Sequence, residues 1–217
     1  MTLNFLIILI LSIFFIYICN KKKILQSKSG DIHQNFIDTE STPLLGGIIL
    51  FSIILINYSF NLDYFILFTF LILFIGIISD VKKNFSPNLR LFFQSIIILM
   101  SVYHFDNSIG FTNFYIIDLI LANNYLKVLF TTFCILILIN GTNFIDGTNL
   151  NVCGYYLAIS ISLFFLDDPF VLSYLKFQLI DFCVFLFVLF LLNSINKIYL
   201  GDSGSYILGF IFSFELI

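Results

Sequence analysis

The sequence predicts an all-α, polytopic integral membrane protein with about eight transmembrane helices. Three observations carry that expectation. Hydrophobic residues make up 60% of the chain and charged residues 11%, with a mean hydropathy of +1.06, whereas an ordinary soluble domain holds roughly 25% charged residues. The apolar residues fall in runs near the roughly 20 needed to cross a bilayer as a helix. Polar and ionisable groups are gathered into short islands between those runs.

Taken in order, the expected spans are 3–19, 44–60, 62–79, 89–103, 126–140, 151–166, 171–194 and 204–217. The first is closed by Lys21-Lys22-Lys23. A cleaved leader has its basic residues before the apolar run, so this one reads as a retained helix. Ser86-Pro87 supplies a cap and a first helical residue for the fourth span. No repeat, low-complexity linker or soluble domain divides the chain, which reads as one transmembrane domain over 1–217.

Charge predicts the orientation. Lys21, Lys22, Lys23, Lys28, Lys82, Lys83, Arg90 and Lys197 fall between alternate spans, with only Lys127 and Lys176 on the opposite side. Basic residues accumulate on cytoplasmic loops, so the amino terminus is expected outside. The islands at 33–47, 76–87, 140–149 and 198–209 then all face the cytoplasm, as parts of one composite site at the surface of the cell membrane.

The rest of the composition excludes more than it suggests. Cys19, Cys134, Cys153 and Cys183 stand singly in or beside apolar spans, which fits packing better than metal binding or disulfides. A net charge of −3 gives no reason to expect a nucleic-acid partner. Thirty phenylalanines without a tryptophan read as lipid-facing and core surface.

The islands offer a particular chemistry. Asp80, Asn143, Asp146 and Asp202 are hard oxygen donors that suit magnesium or calcium, and no His/Cys cluster competes. The adjacent Gly141, Gly147, Gly201 and Gly204 allow backbone to approach a phosphate. The final island leads into a helix, and Asp202 or Ser203 is expected to cap it, leaving N–H groups for an anion. Lys82 and Lys83 add attraction for phosphate. The residues alone point to a magnesium-assisted phosphate site at a membrane face. Each has a blander reading: an isolated Asp-Gly is a common turn, span-end lysines set topology, and His33 in a polar loop is more often solvated than functional. Asp167-Asp168-Pro169 reads as an outer turn, and Asp181 as a partnered or snorkelling acid.

In order and wording, the islands resemble the polyprenyl-phosphate N-acetylhexosamine-1-phosphate transferases of glycosyltransferase family 4. That group includes the undecaprenyl-phosphate GlcNAc-1-phosphate transferase and phospho-MurNAc-pentapeptide translocase. Pro43-Leu44-Leu45-Gly46-Gly47 is similar to the family's PRxGG loop, and Gly76 to Gln94 to its GxxDD and SPxxKLxxQ stretch. Asn140, Asn143, Asp146 and Gly147 are similar to NxxNxxDGxDG, and Gly201 to Gly209 to GDxGSxxLG.

The resemblance implies transfer of a sugar 1-phosphate from a UDP-sugar to a polyprenyl phosphate, releasing UMP and initiating a surface glycan. It implies Mg2+ as cofactor, held by Asn143 and Asp202. Asp80 and Asp146 are the implied catalytic pair, Asp80 positioning or deprotonating the acceptor and Asp146 in the metal or nucleotide shell. Lys83, Asn140, Gly147, Gly201, Ser203 and His33 are the substrate-binding candidates. The expected partners are the polyprenyl phosphate lipid, the UDP-sugar and the bilayer, with a homodimer left open.

Three departures bear on these expectations. Ser79 stands where the family has the first of two aspartates, and Asn149 replaces the second aspartate of DGxDG. The family normally continues through further spans and a histidine-rich loop, whereas this sequence has two histidines, so a shortened carboxyl end is expected. The rival expectations are a catalytically silent membrane scaffold and, behind it, a transporter using Asp181.

Overall fold

The computed structural model describes residues 2–26, 42–57, 63–82, 85–146, 150–165 and 169–217. Among them the fold is all-helical. The helices are α1 (Thr2–Lys22), α2 (Gly46–Asn57), α3 (Asp63–Val81), α4 (Pro87–Phe105), α5 (Tyr115–Leu121), α6 (Asn124–Ile145), α7 (Asn151–Phe164), α8 (Pro169–Ser194) and α9 (Gly201–Glu215). Isolated bridges pair Gln26 with Pro43 and Leu44 with Tyr199.

Within the described residues, each of the eight expected apolar segments contains a helix. Among the described residues three helices are long and apolar enough to cross a membrane: Tyr64–Val81, Pro87–Phe105 and Asn124–Ile145. The 12-residue α2 rises about 18 Å at 1.5 Å per residue, short of a hydrocarbon core about 30 Å thick. Gly46–Ile56 and Asn151–Leu163 are likewise shorter apolar helices, whereas α1 and α8 run for 21 and 26 residues.

Helix α9 is the hub. It packs against α2, α3 and α6; α4 closes the outside between α3 and α6, and α7 pairs with α8. Its Tyr206, Ile207, Leu208 and Phe210 are buried almost completely, so its apolar residues face protein on every side. Lipid offers no hydrophobic drive for helices to associate, which leaves close packing and polar contacts to hold such a bundle. Both occur here. Phe65 stacks on Phe210 (centroids 6.0 Å) and meets Phe214 (5.7 Å), joining α3 to α9 at one end. At the other end a Cβ added to Gly76 would lie 2.3 Å from the Cα of Ser203, so only glycine lets α3 approach the start of α9 this closely.

The segment before α2 is stitched to the segment before α9. Leu45 and Gly46 N–H donate to the Tyr199 carbonyl (3.1 and 3.2 Å), and Tyr199 N–H donates to the Pro43 carbonyl (3.0 Å). Ser86 caps α4 as expected, its hydroxyl accepting from Leu89 N–H (3.3 Å) with Pro87 following. Helix α5 is an addition to the expected set: it lies between the expected spans 89–103 and 126–140, and seven residues there are helical.

Candidate functional site

The acidic residues of three islands converge at the end of the bundle where α3 and α6 finish and α9 begins. These islands are less loop-like than the sequence suggests. Helix α3 continues through Asp80, α6 through Asn140 and Asn143 to Ile145, and α9 starts at Gly201. The polar side chains therefore project from helix ends at fixed angles.

Asp80 caps α9 from a different helix. Its Oδ1 accepts from Asp202 N–H (2.8 Å) and its Oδ2 from Ser203 N–H (3.1 Å), satisfying two of the donors that a helix start leaves open. This corrects the expectation that Asp202 or Ser203 caps the helix: α9 has no side-chain cap of its own, and Asp202 lies within its first turn. Gly201 makes the arrangement feasible. Its φ is +73°, and a Cβ there would sit 3.0 and 3.1 Å from the Asp80 oxygens.

Asp202 is gripped from three helices. Asn143 of α6 donates through Nδ2 to its Oδ1 (2.7 Å) and to Ser205 Oγ (3.1 Å). On the other oxygen, Oδ2, the Ser79 hydroxyl of α3 donates and Arg90 Nη1 of α4 forms an ion pair at 3.0 Å. The same Arg90 nitrogen donates to Ser79 Oγ (2.9 Å) and Tyr206 Oη (3.0 Å). Ser79 is thus in direct contact with Asp202. An aspartate there would set two carboxylates against each other, and serine turns that repulsion into a hydrogen bond.

Asp146 is the least committed of the three. It stands one residue past α6, half-buried, and its carboxylate accepts no hydrogen bond among the described residues. Burial, and then the negative charges of Asp202 and Asp80, push its pKa up to about 8. Among the described residues, the ion pair made by this acidic cluster is that of Asp202 with Arg90.

Among the described residues no group of three or more His, Cys, Asp or Glu side chains closes into a metal cage. The donors nonetheless fit a magnesium ion, which takes one or two carboxylates and completes its shell with water and substrate phosphates. Among the described residues, the Asp146 oxygens beside two negative neighbours and the Asn143 carbonyl oxygen take part in no hydrogen bond.

The remaining candidates divide. Ser203 is buried, with its N–H on Asp80. Asn140 lies one turn deeper, donating to Gln94 Oε1 (3.1 Å) and the Leu136 carbonyl (2.9 Å). His33, Lys83 and Gly147 lie outside the described residues, as do Asn149 and the side chain of Asp181. Sequence reasoning assigned Arg90 to topology and left out Tyr206 and Ser205. Arg90's place four residues after the Ser86 cap, on the first turn of a helix, was the available signal.

A family model described as glycosyl transferase family 4 matches residues 62–217. The matched stretch takes in Asp80, Arg90, Asn143, Asp146 and Asp202. No curated protein matches the chain.

Proposed function

The chain belongs to glycosyl transferase family 4, and from that premise we propose that it transfers a sugar 1-phosphate, of the N-acetylhexosamine type, from a UDP-sugar to a polyprenyl phosphate. The products would be a polyprenyl-diphospho-sugar and UMP, the first step of a cell-surface glycan. The observation that carries this reading is the convergence of Asp80, Asp146, Asp202, Asn143 and Arg90 at one end of an apolar bundle. A water-soluble donor and a lipid acceptor can meet only at such a boundary. The further topology belongs to the same proposal: a multi-pass chain in the cell membrane, with the amino terminus outside and the site on the cytoplasmic face, an orientation supported by the distribution of basic residues.

In the proposed reaction an oxygen of the lipid phosphate forms a bond to the phosphorus that carries the sugar. The bridging P–O bond breaks, and UMP leaves with the electron pair. Both reactants are anions, so catalysis rests on positioning and charge compensation. Bound magnesium would supply that compensation, held by Asp146, the Asn143 carbonyl and Asp202 Oδ1. Asp80 fixes the start of α9, and through it Asp202. Arg90 and Ser79 keep Asp202 oriented. A lipid phosphate already ionised near neutral pH needs no base, so Asp80 acts in this reading through its hold on α9.

The test is UMP release from a UDP-N-acetylhexosamine in membranes supplied with a polyprenyl phosphate. Release should require magnesium and vanish in Asp202→Asn. Full activity in that variant would remove Asp202 from the site, and no release by the unaltered chain would favour a silent scaffold.

A further inference from the structure

The contact between Gln94 and Asn140 lies apart from the acidic cluster, and nothing in the proposed reaction uses it. Gln94 is wholly buried on α4, and its Oε1 accepts from Asn140 Nδ2 on α6 (3.1 Å). The second Asn140 N–H goes to the Leu136 carbonyl of its own helix (2.9 Å), which fixes the amide's orientation. Among the described residues Gln94 Nε2 has no hydrogen-bond partner, so the Oε1 contact is the side chain's one hydrogen bond among them.

The register gives the contact its meaning. Helices α4 and α6 pack together. Arg90 is one turn from Gln94, about 6 Å along α4, and Asn143 is three residues from Asn140, about 4.5 Å along α6. Arg90 and Asn143 both end on Asp202, one on each carboxylate oxygen. The two levels therefore run in step: one amide pair joins the helices directly, and the next level joins them through Asp202. Sliding or rotating α6 on α4 would break the first contact and pull Arg90 and Asn143 off the second.

We propose that Gln94 is a positioning residue. Its buried amide bond to Asn140 latches α4 to α6 at the register from which Arg90 and Asn143 grip Asp202. The proposal rests on the transferase reading for its catalytic consequence and not for its structural one. In apolar surroundings an interhelical amide bond has no water to compete with it, and such bonds act as polar glue between membrane helices.

The experiment uses the full chain in lipid nanodiscs. Gln94→Met keeps the volume and loses the acceptor; UMP-release kcat should fall about tenfold with both KM values little changed, as misplacement of a reacting group does. Gln94→Glu keeps the acceptor oxygen and should hold kcat within about threefold of the unaltered chain. Thermal midpoints of Gln94→Met, Asp202→Asn and the double variant should be non-additive, the second change costing less once the first is made. Should Gln94→Met fail to fold, Gln94→Ala carries the same expectations. Unchanged kcat in Gln94→Met, equal loss in a folded Gln94→Glu, or additive midpoints would each overturn the latch. If the unaltered chain releases no UMP, the transferase reading fails, and the midpoints alone decide the latch.

Discussion

The two ends of the bundle satisfy their polar groups in opposite ways. At the acidic end the partners are distant in sequence: Asp80 bonds residues 202 and 203, Asn143 and Arg90 reach Asp202, and Tyr199 joins Pro43 and Leu45. At the α5 end many are neighbours. Asp118 accepts from the Thr112 N–H (2.6 Å) and hydroxyl (2.9 Å), and Asn123 accepts from Tyr125 and Leu126 N–H. Longer ties, such as Asn107 to the Phe214 carbonyl (2.7 Å), are fewer there. Local bonds form wherever the chain turns, whereas distant ones form only when the whole bundle is assembled. The acidic end should therefore report on the fold as a unit, and the α5 end on itself.

The most damaging test of that contrast is Gly76→Val. The Cβ would overlap backbone at Ser203, which cannot yield as a side-chain tip can, and the expected loss is about 3 kcal/mol or more. Size-exclusion profiles and thermal midpoints in detergent should show little folded protein; a stable Gly76→Val would mean that the ends are not so unequal.

Asp80→Ala comes next. It leaves the Asp202 and Ser203 N–H groups without their acceptor, for an expected loss of about 2 kcal/mol. UMP release should fall with it, because Asp202 loses its anchor.

A pH series sharpens the comparison through Asp146. Folded, it holds its proton up to about 8, against an ordinary value of 3.8. Between those values the unfolded chain gives up this proton first, so the native state binds more protons and stability declines as pH rises through the window. Asp146→Asn should flatten the decline, and magnesium should oppose it in the unaltered protein by favouring the ionised carboxylate. A midpoint curve unaffected by Asp146→Asn would remove this residue from the balance.

The smallest effect belongs to the other end. Asp118→Ala should cost about 1 kcal/mol, the ordinary net worth of a hydrogen bond, and leave UMP release as it was. If it damaged activity as Asp80→Ala does, the two ends would be coupled and the contrast would be lost.

These features differ in how far they could be read from the amino-acid order. The helices were legible because long apolar runs bounded by Lys21-Lys22-Lys23, Ser86-Pro87 or Asp167-Asp168-Pro169 have few alternatives. Their depth was not: α2 and α9 look like spans by composition, but their lengths and the burial of α9 depend on packing that no local pattern records. The convergence of Asp80, Asn143, Asp146 and Asp202 was legible from their repeated placement at span ends. What each carboxylate touches was not. Asp80 reads as a reactive acid and serves as a distant helix cap, while Ser79 reads as a loss and is a donor to Asp202. Arg90 and Gln94 look like a topology marker and a motif letter. Their work depends on which residues of α6 and α9 stand opposite, and that is set only in three dimensions.

The borrowed cap on α9 bears on how this protein is made. A helix whose first amides are satisfied by a carboxylate more than a hundred residues upstream cannot settle its polar start in an apolar medium by itself. Until the end of α3 is in place, the Gly201-Asp202-Ser203 turn needs water, and water is found at the bilayer surface. The same bond that shapes the site would then act as a checkpoint in biogenesis, releasing α9 into the bundle only after its receptor among α2, α3 and α6 has formed.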